Sequence, residues 1–141
     1  MKTFTFPMFK KNNSYVQLKD MLNILPKNYW VWSILDFDGI GIPPQGLSMD
    51  EFTALIRKEP SGFSMTWDEL TQFANDIEQT FDCLIVCVKS RENLDGMKFS
   101  KDDFSECLAV ISAFDSSEWS IEVDEKCVPI MLPLSMKDSE I

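Results

Sequence analysis

The sequence predicts one α+β (or α/β) domain, and three observations carry that expectation. Two capping boxes, Ser48-Met-Asp-Glu51 and Thr66-Trp-Asp-Glu69, each precede apolar residues at helical spacing. The run Cys83-Leu-Ile-Val-Cys-Val88 is short, apolar and flanked by charge, as a buried strand is. Trp119, Ile121 and Val123 alternate with Ser120, Glu122 and Asp124, as a half-exposed strand should. The expected layout is about three helices, mainly in the first half, packed on a mostly antiparallel sheet. The 141 residues are 45% hydrophobic and include eleven Phe and four Trp. That suffices for one core, since a chain of this size buries roughly 68–70% of its unfolded surface.

Taken in order, Thr3-Phe-Thr-Phe6 alternates and reads as a short strand stopped by Pro7. Ser14 can cap a helix over Tyr15 to Ile24, with Leu18, Met21, Leu22 and Leu25 on one stripe and Pro26 as its stop. Residues 29–37 are aromatic and β-branched and read as a central strand. Asp38 to Gly46 reads as a turn-rich loop. Phe52, Leu55 and Ile56 should face inward from the helix opened by Ser48, which stops before Pro60. Leu70, Phe73, Ala74, Ile77 and Phe81 form the stripe of the helix opened by Thr66. Residues 89–103 read as a polar loop.

Residues 104–114 fit either a helix or a strand, and a strand is expected. With Asp115-Ser-Ser-Glu118 as the turn, 106–114 and 118–124 form a hairpin. Residues 127–134 could add an edge strand, since Pro129 and Pro133 suit an edge better than a centre. The tail from about 135 should fray. No repeat or linker divides the chain, so residues 1–141 read as a single globular domain.

Charge bounds the function. There are 23 acidic and 13 basic residues, no histidine, and a net charge of −10. The charge is uneven: +4 over residues 1–35, −8 over 36–82 and −6 over 83–141. Such a field steers a cationic partner and opposes a polyanion, so no nucleic acid is expected as ligand. The start, Met-Lys-Thr-Phe-Thr-Phe-Pro, has no apolar h-region, and no apolar run approaches the ~18 residues of a membrane span. A cytoplasmic protein with no membrane contact is expected. The four cysteines match no zinc spacing and read as free, buried thiols. No metal and no cofactor is expected.

The missing histidine removes the triad and zinc-hydrolase templates, and neither phosphate-loop pattern occurs. One enzymatic pattern remains. Ile34-Leu-Asp36-Phe-Asp38-Gly39 is similar to the first motif of haloacid-dehalogenase-type phosphatases. That similarity implies Asp36 as nucleophile and Asp38 as general acid around Mg²⁺. Against it stand Ile40 in place of a hydroxyl residue and the lack of an acidic pair ending a later strand. Cys83 and Cys87 would share a strand face, with no histidine to activate them. The acids form the stronger pattern. Asp68, Glu69, Asp76, Glu78 and Asp82 lie within fifteen residues without a Lys or Arg. Self-repulsion makes such a cluster costly to the compact state, a cost that a basic partner would offset. The candidate contact residues are Asp68, Glu69, Asp76, Glu78, Asp115, Glu118 and Trp119, the last expected to be partly exposed beside its turn.

Two stretches carry a resemblance. Trp30-Val-Trp-Ser-Ile-Leu-Asp-Phe-Asp-Gly39, with the Pro43-Pro-Gln-Gly46 loop and the capped helices after it, resembles the opening half of small bacterial immunity proteins. Ala113-Phe-Asp-Ser-Ser-Glu-Trp-Ser-Ile121 resembles a Trp-bearing strand after an Asp-Ser turn in the same proteins. These are the immunity proteins of contact-dependent growth inhibition and related polymorphic toxin systems. The resemblance covers about 50 residues and is structural rather than catalytic. It implies a non-enzymatic antitoxin in the cytoplasm that forms a 1:1 complex with the C-terminal nuclease domain of a cognate toxin, an RNase by preference. Such an inhibitor occludes a basic active site and needs no catalytic group. An acidic DNA mimic that inhibits a nucleic-acid-binding enzyme is the further alternative.

Overall fold

The computed structural model describes residues 1–9 and 14–132. One six-stranded sheet organises them. Its strands are β1 (Lys2–Pro7), β2 (Val31–Gly41), β3 (Phe63–Met65), β4 (Ile77–Val88), β5 (Ala109–Phe114) and β6 (Glu118–Val123). They lie in the order β1-β6-β5-β4-β2-β3, and every neighbouring pair is antiparallel. Four helices are described: α1 (Leu18–Leu22), α2 (Met49–Lys58), α3 (Trp67–Asn75) and α4 (Gly96–Ser100). The fold is therefore α+β, with its helices mainly in the first half as the sequence predicts: α1 and α2 lie there and α3 straddles the midpoint. None of the described helices is long and apolar enough to cross a membrane.

The two capping boxes form as read. Ser48 Oγ accepts the Glu51 N–H at 3.1 Å, and Glu51 Oε1 accepts the Ser48 N–H at 2.9 Å. Thr66 and Glu69 repeat the arrangement at 3.2 and 2.9 Å. Each box satisfies backbone donors that the first turn of a helix leaves free.

The sheet has two unlike faces. The first carries Phe4, Phe6, Trp32, Ile34, Phe37, Cys83, Ile85, Cys87, Ile111, Trp119 and Ile121, all packed in the main core with α1, α2 and α3. The second carries a smaller cluster over the middle strands. There Val86, Val88 and Val110 meet Phe99 and Cys107, with Phe104 stacked on Phe99 at 5.8 Å between centroids. This cluster covers only part of the second face.

Several local expectations are corrected. The helix expected over 15–24 shortens to Leu18–Leu22 with Gln17 as its cap. Tyr15 instead bridges to Phe9, and Val16 N–H bonds to the Met8 carbonyl. The segment 38–41, read as loop, continues β2 through two bulges against β4. Gly39 and Gly41 allow this, because a Cβ at either would collide with the Gln79 or Asp76 carbonyl. The third helix ends at Asn75, and Ile77 and Phe81 belong to β4, because sheet pairing with β2 overrides their helical spacing. Leu55 is exposed rather than inward. Residues 63–65 pair with β2 as a strand that the sequence reading lacked. Residues 89–103 contain α4 and a short 3₁₀ turn. The edge beside β6 is taken by β1, and 127–132 form no strand. The frayed tail expected from 135 lies outside the described residues. The hairpin expected of 106–114 and 118–124 forms from 109–114 and 118–123, with 106–108 ahead of the strand.

Candidate binding face

Strand parity decides which side chains share the second face beside that cluster, whose margin is Leu84 and Val110. Asp36, Leu84, Ser112, Ser120 and Thr5 are successive register partners on β2, β4, β5, β6 and β1. One step toward one end of the sheet, Asp38 faces Asp82, and Glu118 stands opposite both Phe114 and Pro7. One step the other way, Val110, Glu122 and Thr3 align on β5, β6 and β1. With strands about 4.8 Å apart, a rank of five spans about 19 Å. No strand position on this side of β1, β6, β5, β4 or β2 carries a Lys or Arg.

The result is a platform of small hydroxyl side chains rimmed by carboxylates, with one aromatic ring in its acidic rank. Phe114 is 62% exposed, which is unusual for a phenylalanine in a sheet. Asp82 is held in place, because its Oδ1 accepts the Asp115 N–H at 3.1 Å. Arg57 reaches Asp36 at 3.7 Å from α2, so a basic charge offsets the rim at that carboxylate.

The sequence-predicted contact residues divide. Asp115 and Glu118 are exposed and belong to this face. Asp76 and Glu78 lie at the same end of the sheet, where Ile77 pairs with Gly41; Asp76 takes a bond from Gln72 at 3.2 Å. Asp68 and Glu69 sit a helix length away, because α3 starts just after Met65, which pairs with Trp32 at the beginning of β2. Asp68 there borders a pocket of about 290 Å³ that also holds Lys27, Arg91, Tyr29 and Trp30, so its surroundings are not uniformly acidic. Trp119 is corrected. It is fully buried, and its Nε1–H donates to the Val16 carbonyl at 2.8 Å, so it cannot touch a partner. Its position on β6, opposite Ala113 and Phe6 in the register, points it into the main core.

Sequence reasoning missed Phe114, Glu122 and the joining of Asp36, Asp38 and Asp82 on one surface. The alternation of buried Ala109, Ile111 and Ala113 was the available signal, since it sends Ser112 and Phe114 to the other side.

Asp36 and Asp38 do share a face, as their spacing requires, but they lie within an eleven-residue antiparallel strand rather than at a strand end. Among the described residues no three of Asp, Glu and Cys gather as a possible metal site. The thiols are free; Cys83, Cys87 and Cys107 are buried, and Cys127 is exposed, against expectation. Burial pushes the buried thiols up, helped at Cys83 by Asp36 and Asp82, so they stay protonated at neutral pH and are poor nucleophiles. No protein-family profile, curated protein or solved structure matches this chain.

Proposed function

We propose that this chain is a cytoplasmic antitoxin of the immunity-protein kind, which neutralises a cognate nuclease toxin domain by binding it one to one. The observation that carries the reading is the open sheet face: six carboxylates (Asp36, Asp38, Asp82, Asp115, Glu118 and Glu122) around the exposed ring of Phe114, with no basic residue on the strands beneath. A nuclease holds a polyanion in a basic cleft, and a rigid array of carboxylates on a sheet presents that cleft with a comparable field. Phe114 supplies the apolar anchor that a purely electrostatic contact lacks. Binding of this kind associates quickly and weakens with salt. Occlusion alone suffices, so no catalytic residue is required. The net charge of −10 and the resemblance of Trp30–Gly39 and Ala113–Ile121 to immunity proteins support the same reading.

The test is growth of cells that express the C-terminal domain encoded by the immediately upstream reading frame, with and without this protein. Rescue from a lethal domain supports immunity, and loss of rescue in a Glu118→Lys, Glu122→Lys variant assigns it to this face. A lethal domain that this protein does not rescue rejects cognate immunity. Equal binding to many unrelated basic proteins would favour a general nucleic-acid mimic instead.

A further inference from the structure

The two edges of the sheet are treated differently. On one side β3 is only three residues long. Beyond it α2 packs along β2, with the Thr53 hydroxyl donating to the Phe37 carbonyl at 3.2 Å. Short edge strands and a covering helix both prevent a sheet from growing. On the other side β1 runs through six consecutive register pairs with β6, from Lys2 opposite Val123 to Pro7 opposite Glu118, without a bulge. Met8 N–H continues the ladder to the Ser117 carbonyl at 3.0 Å. Successive residues of an antiparallel strand bond to opposite sides. The N–H groups of Phe4 and Phe6 therefore turn toward β6, and those of Thr3 and Thr5 turn outward. Pro7, the next outward position, has no N–H. Among the described residues no strand pairs with that outer side.

We propose that the outer edge of β1 receives an extended segment of the partner as a seventh strand, with basic residues at alternate positions. The partner's basic character rests on the antitoxin reading above; the edge, unpaired among the described residues, does not. Backbone bonds to Thr3 and Thr5 supply the attachment, and alternate side chains supply selectivity. Residues of the added strand on the acidic side stand beside Thr3 and Thr5, which are short and exposed. Glu118 and Glu122 lie one strand further in, about 9–10 Å from the added strand, a gap that a long basic side chain and a glutamate close between them. Residues on the other side extend the row of Phe4 and Phe6, which are buried in the core, so apolar residues belong there. Charge selects this occupant over a second copy of the chain, because two bodies at −10 repel.

The experiment is amide hydrogen exchange of Thr3 and Thr5, followed by NMR on the whole protein. The probe is a synthetic six-residue peptide of alternating Lys and Val. Both amides should exchange fast in the free protein and slow at least tenfold with saturating peptide, less so as salt is raised. A peptide of the same composition, with Lys and Val in separate blocks, should leave them unchanged. Thr5→Pro removes only an outward N–H, and Thr5→Lys adds an edge charge; each should keep the fold and abolish the protection at Thr3. Slow exchange of Thr3 and Thr5 without peptide would show the edge already occupied and overturn the proposal. So would protection that grows with protein concentration, the sign of a second copy. Shifts at Glu118, Glu122 and Asp82 with Thr3 and Thr5 unprotected would overturn strand addition while leaving the acidic face, and hence the antitoxin reading, intact.

Discussion

Asp38 on β2 and Asp82 on β4 are direct register partners, two carboxylates facing each other on the open side of the sheet. Like charges directly opposite destabilise a strand pair. Asp82 is anchored by the Asp115 N–H, so Asp38 is the member to change. Asp38→Asn should stabilise the fold by roughly 0.2–1 kcal/mol and slow capture of a basic partner. Urea denaturation and stopped-flow association measure the two halves. Unchanged stability would mean that solvent screens the repulsion.

The division of the acids between two ends of the molecule is testable by charge reversal. Glu118→Lys with Glu122→Lys should lower the association rate with the proposed toxin partner by at least tenfold at low salt and flatten its salt dependence. Asp68→Lys, a helix length away beside Lys27 and Arg91, should change it far less. Equal effects would place the partner on both ends rather than on the sheet face.

Phe114 is exposed and leaves little to lose on truncation. Phe114→Ala should shift stability by no more than about 0.5 kcal/mol, the usual range for surface positions. Its effect on toxin affinity should exceed tenfold if the ring anchors the complex. Calorimetric titration against the proposed toxin partner, with thermal melts as control, separates these results.

The Trp119 indole joins β6 to the segment ahead of α1 through its bond to the Val16 carbonyl, across 103 positions of sequence. Trp119→Phe removes the donor and leaves that buried carbonyl unpaired, which costs about 1–3 kcal/mol in addition to lost packing. Equilibrium urea unfolding should show a lower midpoint with an unchanged slope. A loss under about 0.5 kcal/mol would mean that water replaces the indole.

Alkaline pH should destabilise the fold through its thiols. Burial, with Glu106 and Asp103 adding to it, pushes Cys107 up to about 11 from the ordinary 9.0. The unfolded chain therefore sheds this proton earlier than the folded protein does. Stability from this group is complete below pH 9 and is lost as pH rises through about 11. Cys83 and Cys87, raised mainly by burial, act in the same direction. Melting temperatures between pH 8 and 11 should fall, and Cys107→Ala should make the fall shallower after a constant offset for lost packing.

The two capping boxes and the hairpin reported local structure faithfully, whereas the cap read at Ser14 gave way to Gln17. The boxes at Ser48 and Thr66 form because both halves of each lie within four residues and need no distant partner. The 109–123 hairpin was legible because period-two alternation and a turn suffice to describe it. Where residues served two periodicities, the reading failed. Ile77 and Phe81 continue a helical stripe on paper, yet the backbone of β2 is available at Gly39–Gly41 and takes them into the sheet.

The candidate site was half legible for the same reason. Asp115 and Glu118 are wet because of their own turn, and the sequence states as much. That Asp36, Asp38, Asp82, Phe114 and Glu122 share one surface depends on the strand order β6-β5-β4-β2 and on the bulge between Ile34 and Asp36, which lets both aspartates share the open side. The sequence by itself determined the acidic character, the capped helices, the alternating strands and the lack of a histidine-based centre, all of them properties of composition and near neighbours. Only the tertiary structure decided which acids meet, that Trp119 is core, and which long edge strand has no partner on its outer side among the described residues. Those follow from pairings between residues far apart in sequence, whose register is chosen by the burial of a whole face at once.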